Sequence, residues 1–493
     1  MKKTALILAL FCSMICWQQA LADTSMTVVT VGSSTTRTLN EIIALGLPVM
    51  YVETVDNEEP TCEYVSAPAG CMGATIRNAT KVPGRLIVYQ RIEGLDSVLY
   101  DSGEYEKDVT GMTIKLRGNT TAYDTKKPYK IKLEKKFDLL FGGNDSIYKD
   151  KEWVLLKDEH FTTIAGFKVS ELVGMVWTPR HHFVNVILND TYRGTYLLCE
   201  SVKRNPDCRL NVDKNSGFIF ECDPYWWNED VYVTSERNPS YNYTFKYPDS
   251  DDILPEQLTY MQSLVKAYEA SLKKTNYPDL IDVRSFAAWC LVQDICGTKD
   301  SGGTNRYYTK YDTTAQTKIV MPLAWDFDMA ERANSAWSKS HTSHMTNLFN
   351  NSNRTYVGEF VDLWYEIRNT LVSDISGYMS QFGQSQEGVA LGASLPLNNL
   401  VYGGNLSVNN NVLGRIVWYT DRNTWLDKSI MELVKQGDVN LDKTVDVADV
   451  TLMIDMVLNG CKGCRRAADM DGNYVIDIVD VTALISQVLG STK

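Results

Sequence analysis

The sequence predicts an α+β protein of two lobes, with a small all-α module at its C-terminus. Three observations carry this reading. Residues 47–135 hold short alternating or β-branched runs cut by Gly, Pro and Asn. Residues 343–433 place apolar side chains at three- and four-residue steps, as in VGEFVDLWYEIRNTLVSDISGYM. An acidic segment then repeats itself between 437 and 490. Strands first and helices later is the order of segregated layers, not of alternating βαβ units.

The elements follow in chain order. MKKTALILALFCSMICWQQALADT opens with Lys2 and Lys3, continues with an apolar run and ends in Ala20-Leu21-Ala22. That is the layout of a signal peptide, with cleavage expected before Asp23 and an exported, secreted or cell-surface product. No later stretch reaches about 18 apolar residues, so no transmembrane anchor is expected. LPVMYVETV, GATIRN, GRLIVYQRI, MTIKLRG and PYKIKL read as strands, and residues 160–177 as a helix. FVNVILNDTYRGTYLLCESVK is a hairpin turning at Asn189-Asp190, and GFIFECD adds a strand. Helical periodicity returns at 255–275 and 282–297. The expected domains are 1–22, 23–433 and 434–493.

Composition narrows the function. The chain has 493 residues, 44% hydrophobic and 22% charged, with a net charge of −12. It is globular, and with no long basic run a nucleic-acid partner is not expected. Cleavage would leave nine cysteines, an odd number, in a compartment that permits disulfides. Cys62 and Cys71 flank a loop that a bridge would close, and Cys461 and Cys464 have the spacing of a local bridge. With five His in the chain, a zinc site lacks a second ligand pair.

GDVNLDKTVDVADVTLMIDMVL aligns with AADMDGNYVIDIVDVTALISQVL at an offset of 31 residues. Asp438, Asn440, Asp442 and Asp449 fall on Asp469, Asp471, Asn473 and Asp480. Oxygens at loop positions 1, 3, 5 and 12, with the carbonyls of Thr444 and Val475 at position 7, form a Ca²⁺ ligand set. The pair of loops resembles a type I dockerin over residues 437–490. That resemblance implies two calcium sites and a cohesin module on another protein as partner. Lys443 and Tyr474 stand at position 6, where Gly is usual and φ is often positive, so weaker calcium binding is expected.

A second constellation lies in GTKDSGGTNRYYTKYDTTAQTKIVMPLAWDFD, residues 297–328. Phosphoryl transfer needs one carboxylate on the acceptor hydroxyl, and an amide oxygen with a second carboxylate on the metal. Asp300 and Asn305 have the D-x4-N spacing, and a hairpin then delivers Asp326-Phe327-Asp328. Upstream, Arg117-Gly118-Asn119 form a turn, with Lys130 and Lys132 on one face of the next strand.

Together with LPVMYVET, KKPYKIKL, WVLLKD, the Asn189 hairpin and DRNTWLDKSI, these segments resemble the CotH (spore-coat protein H) kinase family over residues 47–430. The resemblance implies an atypical protein-kinase-like fold using ATP with Mg²⁺ or Mn²⁺ on Ser or Thr of a protein. It implies Asp300 as catalytic, and Asp326 as metal ligand with Asp328 as rival and Asn305 assisting. It implies Lys130 on the phosphates, with Lys127 and Lys132 as rivals. Arg117 and Asn119 would shape the nucleotide side, with Glu200 near it.

One departure stands out. The family's Arg-Asn pair after WVLLKD is replaced by DEHFTTIAGF. Three functions compete: a secreted kinase, a kinase-like binding module without turnover, and a glycan-degrading enzyme. For the third, the aromatic, acidic ECDPYWWNED would grip sugars.

Overall fold

The computed structural model describes residues 24–143 and 145–490. The expected signal peptide lies outside the described residues. Among them no helix is long and apolar enough to cross a membrane.

The first lobe is a closed barrel. Its strands are Val49–Thr54, Val82–Ile92, Met112–Leu116, Tyr129–Phe137, Asp150–Leu156, His181–Leu188 and Thr191–Glu200. Asp150–Leu156 pairs with both Tyr129–Phe137 and Thr191–Glu200, and that double pairing shuts the sheet on itself. Alternation fills the inside. Met50, Val52, Leu86, Val88, Ile114, Ile131, Trp153, Val186 and Leu198 point inward and share one core. The hairpin at Asn189-Asp190 forms as the sequence indicates, with φ of 49° and 55°, the pair of positive values a two-residue type I′ turn requires.

The second lobe carries a five-stranded sheet and the helices. In spatial order its strands are Tyr232–Val233, Asn242–Tyr247, Phe218–Asp223, Arg306–Lys310 and Ile319–Val320. Helix Val283–Cys296 is buried on nearly every face, at the centre of the largest apolar core. Asp282 caps its start by accepting from the Ser285 amide, and Gly297 ends it in the left-handed region at φ 58°. Helices Thr355–Ile367, Leu371–Gln384, Gln386–Tyr402 and Val408–Met431 surround it. Of the hairpin expected before Asp326, the second arm, KIVMPLAW, pairs only at Ile319–Val320 and then runs as buried irregular chain to Asp326. Pro322 removes a ladder donor there.

The C-terminal repeat folds as two loops, each feeding a helix, Val447–Asn459 and Ile478–Gly490. Val439, Met453, Ala468, Val481 and Leu484 form its core. It packs on helix Thr355–Ile367. Asp362 accepts from the backbone amides of Arg465 and Arg466, both at 3.0 Å. Tyr365 stacks on Tyr474 and donates to Asp469.

All nine cysteines from Cys62 onward are unpaired, so neither the Cys62–Cys71 nor the Cys461–Cys464 bridge is formed. Cys461 instead faces Asp455, and Cys464 is buried against Asp362.

Candidate functional site

The D-x4-N loop begins just beyond Gly297, so a helix buried on nearly every face holds it in place. Thr304 folds the loop back by donating to the Asp300 carbonyl at 2.7 Å. Asn305 sits at φ 59° and Asp326 at φ 65°. Left-handed backbone at a non-glycine residue costs about 1–2 kcal/mol, and Asn and Asp bear it best. Between the two aspartates of Asp326-Phe327-Asp328, Phe327 is fully buried. Its ring lies against Gly166, where a Cβ would come within 2.4 Å of it, and meets Phe167 edge-on at 5.8 Å. The helix Thr162–Val173 thus clamps Phe327 while both neighbouring carboxylates stay at the surface of a cleft.

That cleft is a cavity of about 860 Å³ between the lobes. Arg117, Asn119 and Lys130 reach it from the barrel, and Asp300, Asn305, Asp326 and Asp328 from the other lobe. Gly118 turns the chain at φ 91°, where a Cβ would meet the Thr121 hydroxyl at 2.4 Å. Asn119 is pinned by the Thr75 hydroxyl, which donates to its Oδ1 at 2.6 Å. Lys130 is held by Glu152 on the adjacent strand at 2.7 Å. Of the residues expected here, Lys127, Lys132 and Glu200 do not line the cavity. Lys132 is exposed. Glu200 is fully buried, accepts from the Arg180 amide at 2.9 Å and lies beside Arg209. It anchors the chain next to the barrel seam. Lys127, the other rival, donates to the Ala122 carbonyl at 2.7 Å.

The cavity also contains residues that sequence reasoning left aside. Lys115 lies directly across from Lys130 in the strand register. Like charges opposite each other destabilise a sheet unless an anion sits between them. Burial, and then Lys130, push the Lys115 ammonium below its ordinary range. Strand pairing of MTIKLRG with PYKIKL was the signal that would have found it. Lys157, from WVLLKD, also lines the wall and pairs with Asp124. Glu221, Asp223, Tyr225 and Trp227 come from the segment read as a sugar grip. Trp227 is tied down, its indole N–H donating to the Met72 carbonyl at 3.2 Å.

The electrostatics divide the cavity into two walls. Lys115, Arg117 and Lys130 make the barrel wall cationic, while Asp300, Asp326 and Asp328 make the opposite wall anionic. Burial, then Asp328 and Asp300, hold the Asp326 carboxyl well above the usual carboxylate range, with Arg117 opposing. Burial raises Asp328 as well, against Lys157. Asp300 is pushed up to about 6 by burial and then by Asp328. Crowded carboxylates that resist ionising together suit a divalent cation, and the cationic wall suits phosphate.

In the C-terminal repeat each loop is closed by a fully buried aspartate. Asp438, Asn440, Asp442 and Thr444 make the first turn. Asp449, fully buried, accepts from the amides of Val439 and Asn440 with one oxygen and of Asp446 with the other. Asp480 repeats this with Met470, Asp471 and Asp477. Carboxylate oxygens of Asp469, Asp471 and Asp480 lie within 4.8 Å of one another, around the loop that also carries Asn473 and Val475. Asp438 is 4% exposed, and its Oδ1 has no hydrogen-bond partner, an unmet acceptor that fits a cation. Lys443 and Tyr474 adopt φ of 78° and 70°, so position 6 takes the left-handed turn without glycine.

Among known proteins, the family model described as CotH kinase protein matches residues 114–368. No curated protein matches the chain. One solved structure similar to it is titled as the Shewanella oneidensis MR-1 toxin–antitoxin system HipA, HipB and its operator DNA complex. Identity is 11%, over 76% of this chain and 74% of that one, and the TM-score is 0.26. The family match spans more than half the chain and includes both cavity walls, from Lys115 to Asp328, and on that ground the chain belongs to the CotH kinase family.

Proposed function

We propose that the protein is an exported atypical protein kinase that moves the γ-phosphate of ATP, with Mg²⁺ or Mn²⁺, to Ser or Thr of a protein acceptor. The observation that carries this is the meeting of Lys130 and Arg117 with Asp300, Asn305 and Asp326 in one cavity, although they lie far apart in the chain. A kinase needs that convergence, because positioning and charge stabilisation supply nearly all of its catalysis.

When bound, ATP provides the transferable phosphoryl group and the divalent ion neutralises its charge. The chain's own residues do the rest. Lys130, braced by Glu152, and Lys115 offer the phosphates two cations on one sheet face. Asp326 and Asn305 would hold the ion, with Asp328 beside them. Asp300 accepts the proton of the acceptor hydroxyl. With its carboxyl pushed up to about 6, it is ionised at neutral pH yet basic enough to help.

Residues 434–493 would act as a dockerin-type plug. Calcium in the loops of Asp438–Asp449 and Asp469–Asp480 would hold it folded, and a cohesin module on a partner would tether the kinase.

A second reading, nucleotide binding without transfer, is favoured by one feature. After WVLLKD, where the family has an Arg-Asn pair, this chain reads DEHFTTIAGF, and Glu159 there is 3.5 Å from the buried Lys126. One experiment separates the two. Residues 23–493 are incubated with Mn²⁺ and γ-labelled ATP, with Asp300→Asn as control. Label that appears on protein and is lost in the control supports the kinase. Nucleotide binding with no label in either supports the binding module.

A further inference from the structure

Behind the Asp300–Asn305 loop lies a second, smaller cavity of about 100 Å³, separate from the large cleft. We infer that it is a binding site for a compact inorganic oxyanion of phosphate size, held by Arg306 and Arg237.

Arg306 carries the inference. It follows Asn305 directly, is 5% exposed, and forms no ion pair with any carboxylate among the described residues. One guanidinium nitrogen donates to Cys222 Sγ at 2.7 Å and another contacts His344 Nδ1. Its Nε is buried with no partner at all. A buried cation without a counter-charge is strongly unfavourable, so an unbalanced guanidinium facing a polar void calls for an anion.

The rest of the wall sharpens the chemistry. His344 stays neutral: burial first, then Arg306 and Arg237, hold its imidazole well below the ordinary histidine range. Glu269 is the one carboxylate on the wall, and its oxygens are already taken. They accept from the Ser235 and Tyr243 hydroxyls at 2.6 and 3.0 Å, and from the amides of Glu236 and Arg237. Arg237, on an exposed segment, gives two donors to the Ser343 and His344 carbonyls and lines the rim of the cavity. The balance is two guanidiniums against one carboxylate, with one anion wanting. The volume equals about three waters of the liquid, enough for a tetrahedral oxyanion and too small for a nucleotide.

Position gives the site a consequence. Gly302 lines this cavity, and Gly303 packs so closely on Tyr241 that a Cβ would fall 2.2 Å from its ring. An anion here would fasten the back of the loop whose front carries Asp300 and Asn305.

The test is thermal melting of residues 23–493 in buffer free of phosphate and sulfate, with sodium phosphate titrated against sodium chloride at constant ionic strength. Phosphate should raise the melting temperature saturably by about 3 °C, and chloride should not. Arg306→Met should melt no lower than the unliganded wild type and lose the phosphate response. Should that variant fail to fold, Arg237→Gln, a change on the exposed rim, should weaken the apparent phosphate affinity about tenfold. Lys130→Ala, in the large cleft, should keep the response. Four results would overturn the inference. These are no response in wild type, an equal response in Arg306→Met or Arg237→Gln, loss only in Lys130→Ala, or chloride matching phosphate. A Cys222 thiolate seen by ultraviolet absorbance at neutral pH, and absent in Cys222→Ala, would also overturn it by supplying the counter-charge internally.

Discussion

Replacing Asp326 by Asn should make the protein more stable and inactive at once. Asn tolerates the φ of 65° at this position, so the backbone is not disturbed. The change removes the carboxylate at the centre of the Asp300, Asp326 and Asp328 group, where burial, Asp328 and Asp300 all oppose its ionisation. A carboxyl that stays protonated at pH 7, where the unfolded chain would ionise it, costs folding at most about 4 kcal/mol. Arg117 returns part of that, leaving an expected gain of about 1–2 kcal/mol in chelator. The assay is differential scanning fluorimetry of wild type and Asp326→Asn, in chelator and in excess Mn²⁺, beside the labelled-ATP assay. Wild type should melt lower than the variant in chelator and rise with Mn²⁺. The variant should not respond to Mn²⁺ and should transfer no label. A variant that melts below wild type in chelator would mean that the carboxylates are not in mutual repulsion. A variant that keeps the Mn²⁺ shift and transfers label would move the metal to Asp328.

Three further outcomes are expected. Lys130→Ala should raise the dissociation constant for Mn-ATP about tenfold or more, whereas Asp300→Asn should leave it unchanged while stopping transfer; isothermal titration with single-turnover labelling separates the two. Asp480→Asn should loosen the second C-terminal loop, since its carboxylate gathers three amides. Circular dichroism should then show less calcium-induced helix, and limited proteolysis should release the C-terminus. Lys126, 4% exposed, has its ammonium pushed down to about 8 by burial, against the pull of Glu159. The native state therefore holds fewer protons than the unfolded chain between about pH 8 and 10.5, and stability should rise with pH across that window. Lys126→Met should flatten the rise and gain up to roughly 3 kcal/mol at neutral pH, read from urea melts at pH 7 and pH 10.

How far the sequence could be read depended on whether a feature is local or closed over distance. The Asn189-Asp190 turn, the buried helix Val283–Cys296 and the two acidic loops are local, and each lies where periodicity and turn chemistry put it. The barrel was not legible. Its closure rests on Asp150–Leu156 pairing with Thr191–Glu200, a contact that no run of alternation announces. The same gap explains the site. Asp300, Asn305 and Asp326 stood in a readable spacing, and Arg117, Asn119 and Lys130 flanked a readable turn. Lys115 escaped because its importance comes from the strand opposite, and Glu221 and Asp223 because a buried acidic strand resembles a sugar-binding run until its neighbours are known. Glu200 misled for the converse reason. An acidic residue at a strand end is equally suited to a cleft or a buried ion cluster, and only the placement of Arg180 and Arg209 decides between them.

That distinction bears on how the cleft works. Its anionic wall is fixed by deeply buried elements: Phe327 wedged on Gly166, and the helix that Gly297 ends just before the loop. Its cationic wall stands on a barrel whose lysines are braced sideways, Lys130 by Glu152 and Lys157 by Asp124. Both walls are therefore set before any ligand arrives, and each holds like charges that repel in its absence. A ligand carrying phosphates and a divalent ion would relieve the two walls together, so binding of the two should be cooperative. Mn²⁺ should tighten nucleotide binding, and nucleotide should tighten Mn²⁺ by the same factor, because the coupling is reciprocal. Titrating each in the presence and absence of the other measures both factors. Independent binding would mean that the repulsion within the walls is already met by charges inside the protein.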